Sequence, residues 1–209
     1  MGQLRGAALL WRTQGIGALL SALRGAIYSS ERVLRLVRKS GHEGPNREAH
    51  PSLSVRRLSV PELAAVRERT RGLPLAFYVD RIHGVSRPFV ARWDGELAHV
   101  SWVFVCGDHT PDMTLAAREA EIRYSHTLPE FRGRGIYQAV IRQIAADLEA
   151  EGIRTIYAHV VESNTSSLRA FFASGFAISS RLRTVRAAGV PFVFLEKGSR
   201  SLPCGRPSS

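Results

Sequence analysis

The sequence predicts a mixed α/β fold of the α+β kind: a twisted, mostly antiparallel sheet with flanking helices and one central β-α-β crossover, preceded by an N-terminal helical extension. Three observations carry this. Asp94-Gly95 joins two alternating apolar runs, the mark of an antiparallel hairpin. Residues 120–162 read as strand, long amphipathic helix and strand, which makes two parallel neighbours joined by a right-handed crossover. Residues 176–197 read as a second, closing hairpin around a turn at 187–189.

The elements follow in order. Residues 1–40 carry Ile16, Leu19, Leu20, Leu23 and Ile27 at helical spacing, continued by Val33, Leu36 and Val37. They hold seven basic residues against one acid, Glu31, and so over half of the chain's net charge of +11. Three readings of this segment stand: a helix packed on the domain or on another subunit, a basic amphipathic helix on an anionic membrane, or an Arg-rich transit leader. No apolar run reaches spanning length. The Gly- and Pro-rich stretch 40–53 reads as a linker, so the boundaries are an extension over 1–45, a domain over 53–197 and a loose polar tail over 198–209.

Within the domain, 53–60 alternates as a strand, and Pro61 opens a helix over 61–69. A second short helix falls within 73–84. The hairpin spans 87–105, a loop covers 107–113, and a strand covers 120–128. Ile136, Val140, Ile144 and Leu148 recur every fourth residue in a helix over 135–152 that stops at Gly152. A strand over 154–162 leads to a helix capped by Asn164 and ended by Gly175.

Composition bounds the function loosely. The 209 residues are 44% hydrophobic and 22% charged, enough for a buried core without disulfides or metals. Cys106 and Cys204 make no disulfide framework and no metal-ligand spacing, which suits a reducing, cytoplasmic setting; Cys106 reads as a buried strand residue. His42, His83, His99 and His109 show no metal-ligand spacing either, so no metal site is expected. Trp102 reads as core. The basic balance, nearly all arginine, permits anionic partners without choosing among them.

The informative stretch is TLPEFRGRGIY, residues 127–137. A strand that runs into a Gly-rich turn and then a helix presents free backbone N–H groups and the positive end of a helix dipole. Gly133 and Gly135 let a ligand approach the backbone, and Arg132 and Arg134 add charge. A diphosphate suits this geometry. The glycine spacing is neither that of a dinucleotide fingerprint, since Gln138 stands where its last glycine would be, nor that of a nucleotide P-loop.

RGRGIY resembles the acetyl-CoA loop of the GCN5-related N-acetyltransferase (GNAT) family, whose pattern is Arg/Gln-x-x-Gly-x-Gly/Ala; Arg132 and Gly135 match it. A second stretch, NTSSLRAFFASGF, resembles another family motif, with Asn164, Ser167, Phe171, Gly175 and Phe176 in register. The element order over 53–197 matches as well. The resemblance implies an N-acetyltransferase that moves an acetyl group from acetyl-CoA to a primary amine by direct transfer in a ternary complex. It implies that the pantetheine arm pairs with the backbone of His126, Thr127 and Leu128, and that the pyrophosphate lies on residues 133–138, including Arg134, Ile136 and Tyr137. Asn164 would hydrogen-bond the cofactor arm. Two positions depart: Tyr137 is large where the family is small, and Phe171 stands where many members carry a proton-donating Tyr.

Two residues are candidates for the base that deprotonates the amine, which needs a pKa near working pH. His159 is either that base or a satisfied core histidine. Glu121 is either a base or the partner of an arginine, with Arg123 and Ser125 on its face. Glu119, Tyr124 and His126 are weaker candidates. The acceptor is expected to be a small molecule, with an amino sugar or biosynthetic intermediate as the lean. A homodimer stays open. The rival class is a catalytically silent CoA-binding sensor or scaffold, with residues 1–40 as a membrane or nucleic-acid tether, nucleic acid being the less favoured.

Overall fold

The computed structural model describes residues 28–41, 50–110, 113–187 and 190–195. Eight strands form one sheet among them: β1 (Tyr28–Lys39), β2 (Leu53–Arg57), β3 (Pro88–Trp93), β4 (Glu96–Val105), β5 (Glu119–Thr127), β6 (Thr155–Val161), β7 (Ala177–Ala187) and β8 (Val190–Leu195). Their spatial order is β2-β3-β4-β5-β6-β1-β7-β8. Only β5 and β6 pair in parallel, and that pairing runs from Glu119–Thr155 to Ile122–Ala158 and no further. The helices are α1 (Val60–Arg69), α2 (Val79–His83, entered through a 3₁₀ turn at Leu75–Tyr78), α3 (Ile136–Ala150) and α4 (Thr165–Phe172).

Local chemistry explains most boundaries. Strand β2 stops at Arg57 rather than at residue 60 because Ser59 is committed to the cap of α1. Its hydroxyl accepts from the Glu62 N–H while the Glu62 carboxylate accepts from the Ser59 N–H, a complete capping box. Asp94 and Gly95 turn the β3–β4 hairpin with φ of 49° and 83°, both left-handed as a two-residue turn of that hand requires.

The two sheet faces carry two apolar clusters. One packs α3 and α4 on Leu34, Leu36, Ala120, Ile122, Ile156, Ala158 and Val160. The four-residue repeat read in α3 is its buried seam: Ile136, Val140, Ile144 and Leu148 all lie inside. The other packs Leu63 of α1 with Phe77, Val79 and Val85 onto Val90, Val100, Trp102 and Phe104. Trp102 is fully enclosed there, and its indole N–H donates to the Ala76 carbonyl at 2.7 Å.

The reading of the N-terminal segment is overturned. Residues 28–39 are not helical extension but a strand inside the sheet, antiparallel to both β6 and β7. Leu, Val and Arg suit a helix locally, yet Leu34 and Leu36 alternate inward at period two and meet Val160 and Ala158. Two waiting strand edges outweigh weak local propensity. The sheet therefore begins at Tyr28, before the expected domain start at 53. Residues 1–27, most of the linker, the centre of the last turn and the tail lie outside the described residues, and with them the helical reading of 1–27. Cys106 is exposed just past β4 rather than buried in it. No helix among the described residues is long and apolar enough to cross a membrane.

Candidate active site

Where β5 and β6 stop pairing they separate, and a cavity of about 610 Å³ occupies the opening. The end of β5, the glycine loop, the first turn of α3 and the near side of α4 line it. Gly133 and Gly135 hold φ of 78° and 74°, a conformation that strains any residue with a Cβ. A Cβ at either would meet nothing within 4 Å, so dihedral rather than crowding selects glycine, and the space before the loop is open. Gly135 is the N-cap of α3. The first N–H groups of that helix have no intrahelical acceptor and face the opening with the helix dipole behind them.

Of the residues assigned to the cofactor from the sequence, His126, Thr127, Arg132, Gly133, Gly135, Ile136, Tyr137, Asn164 and Ser167 line this cavity. Three do not. The N–H of Leu128 is spent inside the sheet, donating to the Ala98 carbonyl at 2.9 Å. Arg134 turns back, donates to the Glu130 carbonyl, and lies over the Trp93 and Phe131 rings. Phe171 is core, edge-on to both Tyr137 and Phe176. Arg132 is tied to the Thr127 carbonyl at 3.2 Å. Asn164 caps α4, its Oδ1 accepting from the Ser167 N–H and the Ser166 hydroxyl. Burial, with the Arg132 charge adding to it, lowers the pKa of His126.

The two base candidates lie together on the opposite face. His159 Nδ1 is 2.6 Å from Glu121 Oε1, and Arg123 donates to the same carboxylate at 3.1 Å. Glu121 is fully buried. Arg35 of β1, the register partner of His159, donates its Nε–H to His159 Nε2 at 3.0 Å. A guanidinium can only donate, so Nε2 is the acceptor and Nδ1 carries the hydrogen toward Glu121. Both nitrogens of the imidazole are thus engaged. Sequence reasoning missed Arg35, because its strand was read as helix. Of the weaker candidates, Glu119 accepts from the Tyr157 hydroxyl at 3.0 Å, and Tyr124 stacks on His83.

Ser125 is not on the Glu121 face. Trp102 pairs with Arg123 but Val100 pairs with His126, so two residues of β5 oppose Ser101. Tyr124 takes φ 49° in this bulge. One extra residue reverses the alternation. Ser125 and Thr127 therefore join His99 and Ser101 on the α3 side, where they form a chain the sequence did not disclose. Thr127 Oγ1 meets His99 Nδ1 at 2.7 Å, His99 Nε2 meets Ser101 Oγ at 2.7 Å, and Ser101 Oγ meets Ser125 Oγ at 2.7 Å. Tyr137 stacks on His99 and hydrogen-bonds Ser125 and Ser167. Burial pushes the His99 pKa down to about 3 and the Tyr137 pKa up to about 12, so both are neutral at pH 7.

The sequence model of the acetyltransferase (GNAT) family matches residues 54–176, more than half of the chain and the whole of this site except Arg35. The chain belongs to the GNAT family. Among solved structures, a GNAT-family protein of Novosphingobium aromaticivorans is 25% identical, with a TM-score of 0.50 over 75% of this chain and 63% of that one. A GNAT acetyltransferase of Colwellia psychrerythraea is 16% identical, with a TM-score of 0.53 over 81% and 57%. A GNAT protein of Sphaerobacter thermophilus is 15% identical, with a TM-score of 0.54 over 84% and 57%. The last two share the fold. The chain spans about three fifths of the length of these structures. No curated protein matches. Within the GNAT frame, β1 stands ahead of the matched span, yet it supplies a sheet position between β6 and β7 and one arm of the His159 cluster.

Proposed function

We propose that this GNAT domain transfers an acetyl group from acetyl-CoA to a primary amine of a small molecule, by direct attack in a ternary complex. The observation that carries the reading is the cavity between the end of β5 and α4, closed at one end by the left-handed glycine loop and the start of α3. The residues present fit acetyl-CoA. Beyond Ile122, β5 has lost β6 as a partner, so its backbone can receive an extended chain. The glycine loop and the N–H groups of α3 suit a diphosphate. The amide nitrogen of Asn164 is the donor left over once its oxygen has capped α4.

In the reaction the amine lone pair attacks the thioester carbonyl, a C–N bond forms, the C–S bond breaks, and the amine loses a proton. His159 is the acceptor for that proton at Nε2, with Nδ1–H held by the Glu121 carboxylate. Arg35 occupies Nε2, so His159 works only once that guanidinium turns away. The same observation favours a second reading, a CoA-binding sensor in which the Arg35–His159–Glu121–Arg123 cluster is purely structural. An amino sugar remains the leaning for the acceptor.

Heat denaturation with and without acetyl-CoA, followed by thiol release against a panel of primary amines, tests both readings. The expected result is stabilisation plus amine-dependent release that falls in His159→Ala and Glu121→Gln. Stabilisation without release by any amine supports the sensor. No stabilisation removes the CoA site altogether.

A further inference from the structure

The departing thiolate needs a proton, and the chain Thr127–His99–Ser101–Ser125–Tyr137 has no role in the scheme above. Its middle is buried, His99 and Ser101 being both 0% exposed, while Ser125 is half-buried at the cavity wall. A buried polar chain costs desolvation at each member unless its links are made; here Thr127–His99, His99–Ser101 and Ser101–Ser125 each close at 2.7 Å, and the Ser125 hydroxyl bonds to that of Tyr137. Thr127 is half-buried at one end and Tyr137 lies at the other, and both line the cavity. The side-chain links of the chain run between hydroxyls and an imidazole, with no carboxylate or guanidinium in them; Arg132 meets only the Thr127 backbone carbonyl. Phe171, edge-on to Tyr137 at 5.6 Å between centroids, offers no hydroxyl in this corner.

Resting on the acetyl-CoA reading of the cavity, we propose that Tyr137 is the residue that protonates the departing thiolate and that the Ser125–Ser101–His99–Thr127 chain restores its proton. As the C–S bond breaks, the Tyr137 O–H gives its proton to sulfur. Ser125 donates to the phenolate oxygen, Ser101 to Ser125, and His99 Nε2–H to Ser101. His99 Nδ1 takes a proton from Thr127, which regains one from water at the cavity wall, and the hydroxide so formed is neutralised by the proton that the attacking amine gives up through His159. The imidazole ends as the other tautomer without ever carrying a charge. This fits a ring whose burial holds its protonation down to about pH 3. Such a path requires that every hydrogen in the resting chain point toward Tyr137, and therefore that resting His99 carry its hydrogen on Nε2.

The test has two arms on the full chain. Nitrogen-15 NMR of the histidine rings reads the resting tautomer without any substrate. His99 protonated on Nε2 is expected, and protonation on Nδ1 overturns the proposal. The second arm compares wild type with Tyr137→Phe, which keeps the ring packed on His99 and Phe171, and with Ser101→Ala, which cuts the chain away from the cavity. The readouts are the acetyl-CoA dissociation constant by calorimetry, kcat for thiol release with the best amine of the panel, and the solvent isotope effect. Tyr137→Phe is expected to lower kcat on the order of 10²-fold. Its acetyl-CoA affinity should change less than about threefold, and its solvent isotope effect should disappear. Ser101→Ala should give a smaller loss of kcat with the same affinity. A Tyr137→Phe enzyme that binds and turns over like wild type overturns the relay while leaving the acetyltransferase reading intact. A wild type that fails to bind acetyl-CoA, or that binds it and releases no thiol, overturns both.

Discussion

His99 is the side chain whose environment departs furthest from what its neighbours in sequence suggest. It is fully buried between two hydroxyls, with its pKa lowered to about 3, and burial is the dominant cause. The unfolded chain takes up a proton on this residue near pH 6.5, while the folded chain refuses it until about pH 3. Between those values the unfolded state binds more protons, so stability is complete above about pH 6.5 and is lost as pH falls. The slope is at most about 1.4 kcal/mol per pH unit. Urea unfolding at pH 7 and pH 5 is expected to show this loss in wild type. His99→Asn should be less stable at pH 7 and should lack this part of the slope. Gly135 gives a second prediction. Its φ of 74° means that Gly135→Ala should cost about 1–2 kcal/mol through backbone strain, measured by urea unfolding, since no neighbour crowds the new methyl. Because the residue caps α3 at the mouth of the cavity, acetyl-CoA affinity should fall as well.

At the scale of elements, strand β1 and the bulge in β5 were the two features hidden from the sequence. The helix α3 was legible because its apolar residues, Ile136, Val140, Ile141, Ile144, Ala145 and Leu148, follow helical spacing over 15 residues and break strand alternation at 140–141 and 144–145. The capping box at Ser59 and the Asp94-Gly95 turn are equally local. The bulge is not: its cause is the pairing of β5 against β4, and no residue near Tyr124 announces it. It decides which face Ser125 and Thr127 occupy, and so which hydroxyls reach the cavity. Strand β1 was hidden because its alternation is short and its residues suit a helix equally well. It is nonetheless a core element. Leu36 is 0% exposed beneath α3 and α4, and Leu36→Ala should destabilise the protein by about 2–5 kcal/mol, read by urea unfolding. A result within a few tenths of wild type would contradict the placement of β1.

At the scale of the molecule, β1 is the bridge. It pairs with β6 over seven residue pairs and with β7 on its other side, so the β7–β8 hairpin reaches the rest of the sheet only through it. Arg35 and Arg38 extend the bridge: one reaches His159 on one face, the other reaches Glu149 of α3. A chain shortened to begin at Pro51 would keep the whole span matched by the family and lose this strand. It should fail to unfold cooperatively, because two strand edges would be bared together, and it should aggregate. Size-exclusion chromatography and calorimetry of the shortened chain check this. A monomer with a sharp transition near that of the full chain would mean that β1 is dispensable.

The sequence alone determined the element order from 53 onward, the glycine loop, the cap at Asn164 and the strands that carry His159 and Glu121, because each rests on chemistry within a few neighbouring residues. Turn dihedrals, helix caps and apolar periodicity are short-range constraints and can be read along the chain. The tertiary structure decided what depends on partners far away. It placed β1 between β6 and β7, brought Arg35 onto His159, turned Arg134 onto Trp93 and Phe131, and joined four strand residues to Tyr137 in one hydrogen-bonded chain. Strand neighbours and the phase of a strand past a bulge are set by which edges meet, and that is a property of the whole sheet rather than of any segment in it.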